Sequence, residues 1–249
     1  VFSDSLSAPS TSTMITPVTT IMAESSLTKE QVVATLGLPV GMDPLTFSAF
    51  DATLSAADKL TALKVEKAAQ KVMAIVSTFA TAAEASGATA SVSFDAAMKA
   101  VVAEVVTATT AYELAGTNST TPVVLAFTDA QVDDVKLAMD TVIAAEIVAG
   151  TMTTAMSDVF TAQVTNNVIA LKNVVGKIDA IVENTANLDL SLSSGIFALT
   201  SVLADQVETA TAAVKAIQTA NTANGTSNAL TVQAVAFTSD AAITASIAN

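Results

Sequence analysis

Residues 164–182, VTNNVIALKNVVGKIDAIV, carry the clearest periodicity in the chain. Val164, Val168, Leu171, Val175, Ile178 and Val182 recur at alternating steps of four and three, which places them on one stripe of an α-helix. The same spacing appears upstream. Val65, Ala69, Val72, Val76 and Phe79 form one run, and Phe94, Met98, Val101, Val105, Ala108 and Tyr112 form another. A further run, Val135, Met139, Val142 and Ile147, follows Thr128. Downstream, Leu203, Val207, Ala210, Val214 and Ile217 repeat the pattern.

Punctuation agrees with these runs. Ser55 with Asp58 reads as a helix start closed by Gly87. Thr28 with Gln31 reads as a capping box closed by Gly37, and Thr16-Pro17 opens a short helix over Val18–Glu24. Gly116 ends the second long run before a loop around Asn118–Pro122, and Gly150 breaks the third. A turn is expected at Asn187–Ser194. The alternation over Leu230–Phe237 is compatible with a strand and is read as helix.

The expected fold is therefore all-α, a bundle of several long Ala/Val-rich helices with an extended N-terminal arm. Small side chains let helices approach closely without bulky aromatics. The charged flanks that specify a long coiled coil are too sparse, and no fixed-period repeat indicates a solenoid. Residues 1–26 are read as a Ser/Thr/Pro-rich arm and 27–249 as the bundle domain.

Composition removes several function classes. The 249 residues contain no Cys, His or Trp and one Tyr, and all ten positive charges are Lys. Serine–histidine triads, thiol nucleophiles, thiolate or imidazole metal sites and bidentate arginine clamps are absent from the repertoire. A net charge of −13 opposes binding to phosphate backbones and anionic lipid. The mean hydropathy of +0.58 comes from Ala and Val interspersed with polar residues. Glu104, Asp140, Glu146 and Asp179 interrupt the most apolar windows, so no run of about 20 residues suits a membrane span. A chain beginning at Val1 is read as a processed product or an excised piece, and its uncharged Thr/Ser/Asn surface points outside the cell.

Carboxylates are the main chemical resource left. Asp129, Asp133 and Asp134 gather with Asp140 near the start of the third long helix, where hard cations such as calcium find oxygen ligands. The competing reading is acidic residues favoured by the helix dipole, and no Asp-x-Asp-x-Asp-Gly loop is present. The Asn187–Ser191 stretch poses the same choice. Carboxylate pairs also serve glycosidases, but a chain with one Tyr and no Trp lacks sugar-stacking platforms, so an enzyme is not expected. Lys64, Lys67 and Lys71, with Glu66, read as a solvated helix face rather than a Schiff-base site. Asn118-Ser119-Thr120 and Asn224-Gly225-Thr226 match the glycosylation sequon. Thr spacing, as at Thr107, Thr109, Thr110 and Thr117, is too irregular for a flat ice-binding lattice.

In the arm, Val1, Phe2, Leu6, Met14 and Ile15 form an apolar set on a chain that Pro9 and Pro17 keep extended. Two readings compete: a segment that docks on a neighbouring subunit or domain, and a simple tether.

Four stretches carry a family likeness: Leu6-Ser7-Ala8-Pro9, Ile15-Thr16-Pro17-Val18-Thr19-Thr20-Ile21, Leu36-Gly37-Leu38-Pro39 and Val65-Glu66-Lys67-Ala68-Ala69-Gln70-Lys71-Val72-Met73. Over this first third the chain resembles a helical module of very large, adhesin-like secreted or cell-surface proteins of marine bacteria. Val18 and Ile21 stand where that module usually has Leu. The resemblance implies an extracellular structural or adhesive role, in a filament, surface layer or giant adhesin, with copies of the chain or neighbouring domains as partners. It brings no catalytic or binding residues. The alternative function is a binding module for calcium or an ordered surface such as ice.

Overall fold

The computed structural model describes residues 6–51, 53–114 and 125–180; Val1, Phe2, the 118–122 loop, and the expected elements at 187–194, 203–217 and 230–237 lie outside them. Six helices follow in order: α1 (Pro17–Glu24), α2 (Lys29–Thr35), α3 (Ala56–Ser86), α4 (Ala90–Leu114), α5 (Asp129–Val148) and α6 (Thr154–Ala180). Among the described residues there is no strand, and no helix is long and apolar enough to cross a membrane. The fold is all-α.

Local signals set the helix ends. Thr16, Thr28 and Thr128 each accept from the backbone N–H three residues on, while Thr19, Gln31 and Gln131 bond back, completing three capping boxes. Ser55 caps α3 by accepting from the Asp58 N–H. Gly87 ends α3 at φ 109°, a left-handed conformation that an L side chain resists, and lets the Ala88 N–H reach back to the Ala83 carbonyl. Three residues then suffice to turn the chain into α4.

The four long helices form a ring in which each packs on its chain neighbours and α6 closes back on α3. Ion pairs record the antiparallel register. Lys99, early in α4, faces Glu146 at the end of α5, and Asp133, early in α5, meets Lys172 late in α6 at 2.7 Å. α1 inserts Val18 and Ile21 into the same core against α3 and α4, and α2 lies along the later part of α4.

This placement differs from the expected arm. Pro17–Ile21 of α1 are buried, with Val18 and Ile21 in the core, so the extended segment ends before Pro17. Leu6 packs against that core, the Ser7 N–H donates to Thr20 Oγ1, and the Thr13 N–H donates to the Leu45 carbonyl. Small hydroxyl residues hold the segment through hydrogen bonds where large apolar side chains are scarce.

The core is made of Val, Ala, Ile and Leu, with Phe79, Phe127 and Phe160 as its largest fully buried side chains. From Ala62 to Ser86, α3 is buried on nearly every face. Thr78 and Thr109 are accommodated inside because each hydroxyl donates to the carbonyl four residues back.

Leu171 and Ile178 are both fully buried. Replacing Leu171 by Asp should abolish the helical circular dichroism signal at room temperature, because the site offers a carboxylate no water. Replacing Ile178 by Ala should cost about 3 kcal/mol in urea titration; a loss below about 0.5 kcal/mol would place this stripe on the surface.

Candidate functional site

The charged groups of the interior are the chemically distinctive feature of this molecule. Glu66, Lys67 and Lys71 are all buried on α3. The expectation of a solvated face at Lys64, Lys67 and Lys71 is thereby corrected for the last two. It assumes a helix with one wet side, whereas α3 is enclosed by α1, α4 and α6. The sequence does hold a signal. Two lysines at i and i+4 repel on an exposed helix, so the pair makes sense once each has a partner elsewhere.

Lys71 Nζ donates to Asp179 Oδ1 at 2.7 Å and to the Ala126 carbonyl at 3.0 Å, and Lys67 Nζ donates to the Asp179 carbonyl at 3.2 Å. The two lysines thus tie α3 to the last turn of α6 and to the segment that leads into α5. That entry is constrained. Phe127 is fully buried at φ 55°, a region a bulky residue rarely occupies. It is held there by the Lys71 contact to Ala126, by the Leu125 N–H donating to the Thr35 carbonyl at 2.6 Å, and by the Thr128 cap that follows. Glu66, beside these lysines, accepts from Gln70 Nε2 at 2.6 Å, and burial pushes its carboxyl above the usual range despite that bond.

A second cluster spans α4, α5 and α6. Glu104 is buried on α4, and its carboxyl is pushed up to about 7, first by burial and then by the charge of Asp134. The calcium candidates are divided among different tasks. Asp129 lies in the first turn of α5, Asp133 pairs with Lys172, and Asp134 faces Glu104. Asp140 is engaged by Lys136 at 2.9 Å, one turn away. Among the described residues no group of three or more potential ligands is placed to hold a metal ion. The four-residue cluster reads as one site in sequence, but helical geometry turns its members toward different neighbours.

Of the apolar arm residues, Leu6 is packed on the core, Met14 is half-buried and Ile15 is exposed. Among the described residues, two fully buried polar side chains, Ser93 and Asn167, carry no side-chain hydrogen bond. Nothing in the structure explains the Asn167 amide.

Chemically, the lysine cluster suits cross-bracing rather than covalent catalysis. An ammonium enclosed between a carboxylate and a carbonyl is positioned to hold three segments together, with no open approach for a carbonyl substrate. No family model matches the chain, and no curated protein and no solved structure matches it.

Two predictions follow from the charges. The Lys71 side chain is 9% exposed and that of Asp179 is 42% exposed, so the two ends of the bridge are not equivalent. Asp179→Asn, which leaves a buried ammonium short of its counter-ion, should cost about 3 kcal/mol, whereas Lys71→Met should cost less than half of that; urea titration of both variants decides it, and equal losses would refute the asymmetry. The second concerns pH. Folded Glu104 retains a proton that the unfolded chain releases above its ordinary pKa of 4.5. Stability therefore falls as pH rises from about 4.5 to 7, by on the order of 2 kcal/mol, and Glu66 acts in the same direction. Thermal melts at pH 5 and pH 8 should show the drop. Glu104→Gln should flatten most of it, and an unchanged slope in that variant would exclude Glu104 as the cause.

Proposed function

We propose that this chain is an extracellular structural or adhesive module that works by associating with copies of itself or with neighbouring domains. One observation carries the reading. On the outer face of α5, Leu137, Thr141, Ala144 and Val148 follow at steps of four, three and four, and all are exposed. Leu137 is 66% and Val148 90% exposed, large apolar side chains on a helix whose buried face is Val132, Val135, Met139 and Ile143. The stripe contains no charge and has the spacing of a helix-pairing seam. The interior points the same way. Its charged groups are used as ties between helices, an allocation suited to a rigid building unit. The likeness of the first third to an adhesin-like module, carried by the four stretches from Leu6 to Met73, supports the extracellular setting.

Sedimentation velocity over a concentration series tests the assembly directly. The wild-type chain should form larger species as concentration rises. Leu137→Asp combined with Val148→Asp should remain monomeric at every concentration and keep its melting temperature within about 2 °C, because both side chains are exposed. A wild-type chain that stays monomeric into the millimolar range, or a double variant that assembles like wild type, would overturn the proposal.

A further inference from the structure

The connection between α2 and α3 carries a second exposed surface of different character. Val40 is 99% exposed and Phe50 62% exposed, and beside them runs an open groove of about 510 Å3. Its lining includes the apolar side chains of Val40, Met42, Phe47 and Leu54 and the carboxylates of Asp51 and Asp58. Across the ridge of Val40 and Met42 lies a smaller hollow of about 230 Å3, floored by Val33 and Ala34.

The charge in the groove is unbalanced. Asp43, which also lines it, is paired with Lys29 at 3.2 Å. Asp51 accepts from Thr53 and Asp58 from Ser55, and among the described residues neither carboxylate is in an ion pair. No basic side chain lines the groove. Two carboxylates outside any ion pair, in a groove also lined by Val40, Met42, Phe47 and Leu54, complement one type of group, a cation at the end of an apolar stem.

We propose that this groove binds a lysine- or arginine-bearing extended segment of another polypeptide. The aliphatic stem lies on Val40, Met42, Phe47 and Leu54, and the charged head meets Asp51 and Asp58. A second copy of this chain is a poor occupant. Nine of its ten lysines sit on α2 to α6 and it has no arginine, so it offers hardly any extended cationic stretch. The inference goes beyond the assembly proposed for α5 and does not rest on it, since it concerns a different partner and a different surface.

The probe is a fluorescein-labelled peptide of alternating lysine and valine, titrated with the full chain at low salt and followed by anisotropy, with a glutamate-for-lysine peptide as its counterpart. The lysine peptide should bind saturably and the glutamate peptide should not. Asp51→Asn with Asp58→Asn should weaken binding about tenfold or more, whereas Asp95→Asn, which removes one exposed charge on α4, should change it less than about twofold. Val40→Ser should weaken binding while leaving the salt dependence intact. Circular dichroism confirms that each variant is folded, and Asp51→Asn alone, outside any helix, serves if the change at Asp58 disturbs the start of α3. The proposal fails if the lysine peptide does not bind, if Asp95→Asn costs as much as the groove variants, or if the glutamate peptide binds equally. It also fails if submillimolar calcium alone displaces the peptide, which would make the groove a cation site. Sedimentation of the α5 double variant with the peptide keeps this outcome separate from self-association.

Discussion

A buried ammonium has to be answered wherever it sits, and Lys71 sits midway along the one helix that is enclosed on nearly all sides. Its carboxylate comes from Asp179 in the last turn of α6, and its carbonyl comes from Ala126 just ahead of α5. Meeting both demands fixes how far α6 runs along α3 and where the chain must re-enter the bundle after α4. The left-handed Phe127 is a consequence of that constraint. Its ring fills the core while its backbone turns the Ala126 carbonyl toward Lys71 and delivers Thr128 to cap α5. Local strain on the order of 1–2 kcal/mol is tolerable at such a point because three independent contacts hold it.

Elsewhere the interior avoids such commitments. A core dominated by Val and Ala gains little per residue, but small side chains bring helix axes close, so packing area is recovered along the length of each pair. Threonine extends this economy. Buried at Thr78 and Thr109, it presents a methyl group to the core and returns its hydroxyl to its own helix. Thr35 and Thr109 also meet across the α2–α4 contact at 2.8 Å, one of the few polar links between those helices. Among the described residues, ion pairs bridge three of the helix contacts: Lys71–Asp179 between α3 and α6, Lys99–Glu146 between α4 and α5, and Lys172–Asp133 between α5 and α6. Non-directional packing of small residues specifies register weakly, and directional ion pairs at these three interfaces add to it.

What was legible in the sequence follows from range. Helix starts at Thr16, Thr28, Ser55 and Thr128 depend on residues three positions apart, and each is where the capping pattern puts it. The apolar stripes of α3 to α6 were readable for the same reason. The surroundings of a helix are not local. The i, i+4 spacing of Lys67 and Lys71 signals partners elsewhere but does not locate them, because the covering groups lie more than fifty residues away at Ala126 and over a hundred away at Asp179. The Asp129–Asp134 cluster misleads in the opposite sense. Proximity in sequence suggested a common site, while a helical rotation of about 100° per residue sends Asp133 toward α6 and Asp134 toward α4. The segment before Pro17 was readable as extended but not as anchored, since its bonds to Thr20 and Leu45 involve ordinary hydroxyl and backbone groups.

The surface divides along the same physical lines as the core. The α5 stripe is uncharged and the α2–α3 groove is acidic, in a chain whose net charge is −13. Salt acts on the two in opposite senses. Screening relieves the mutual repulsion of like-charged copies and so favours contact through Leu137 and Val148, whereas it weakens the attraction of a cation to Asp51 and Asp58. Under the two proposals, contacts at one surface tighten as salt rises and contacts at the other loosen. Buried ties such as Lys71–Asp179 are screened far less, because water and ions reach Lys71 poorly. The tie between α3 and α6 is thus insulated from the salt that acts on the surface.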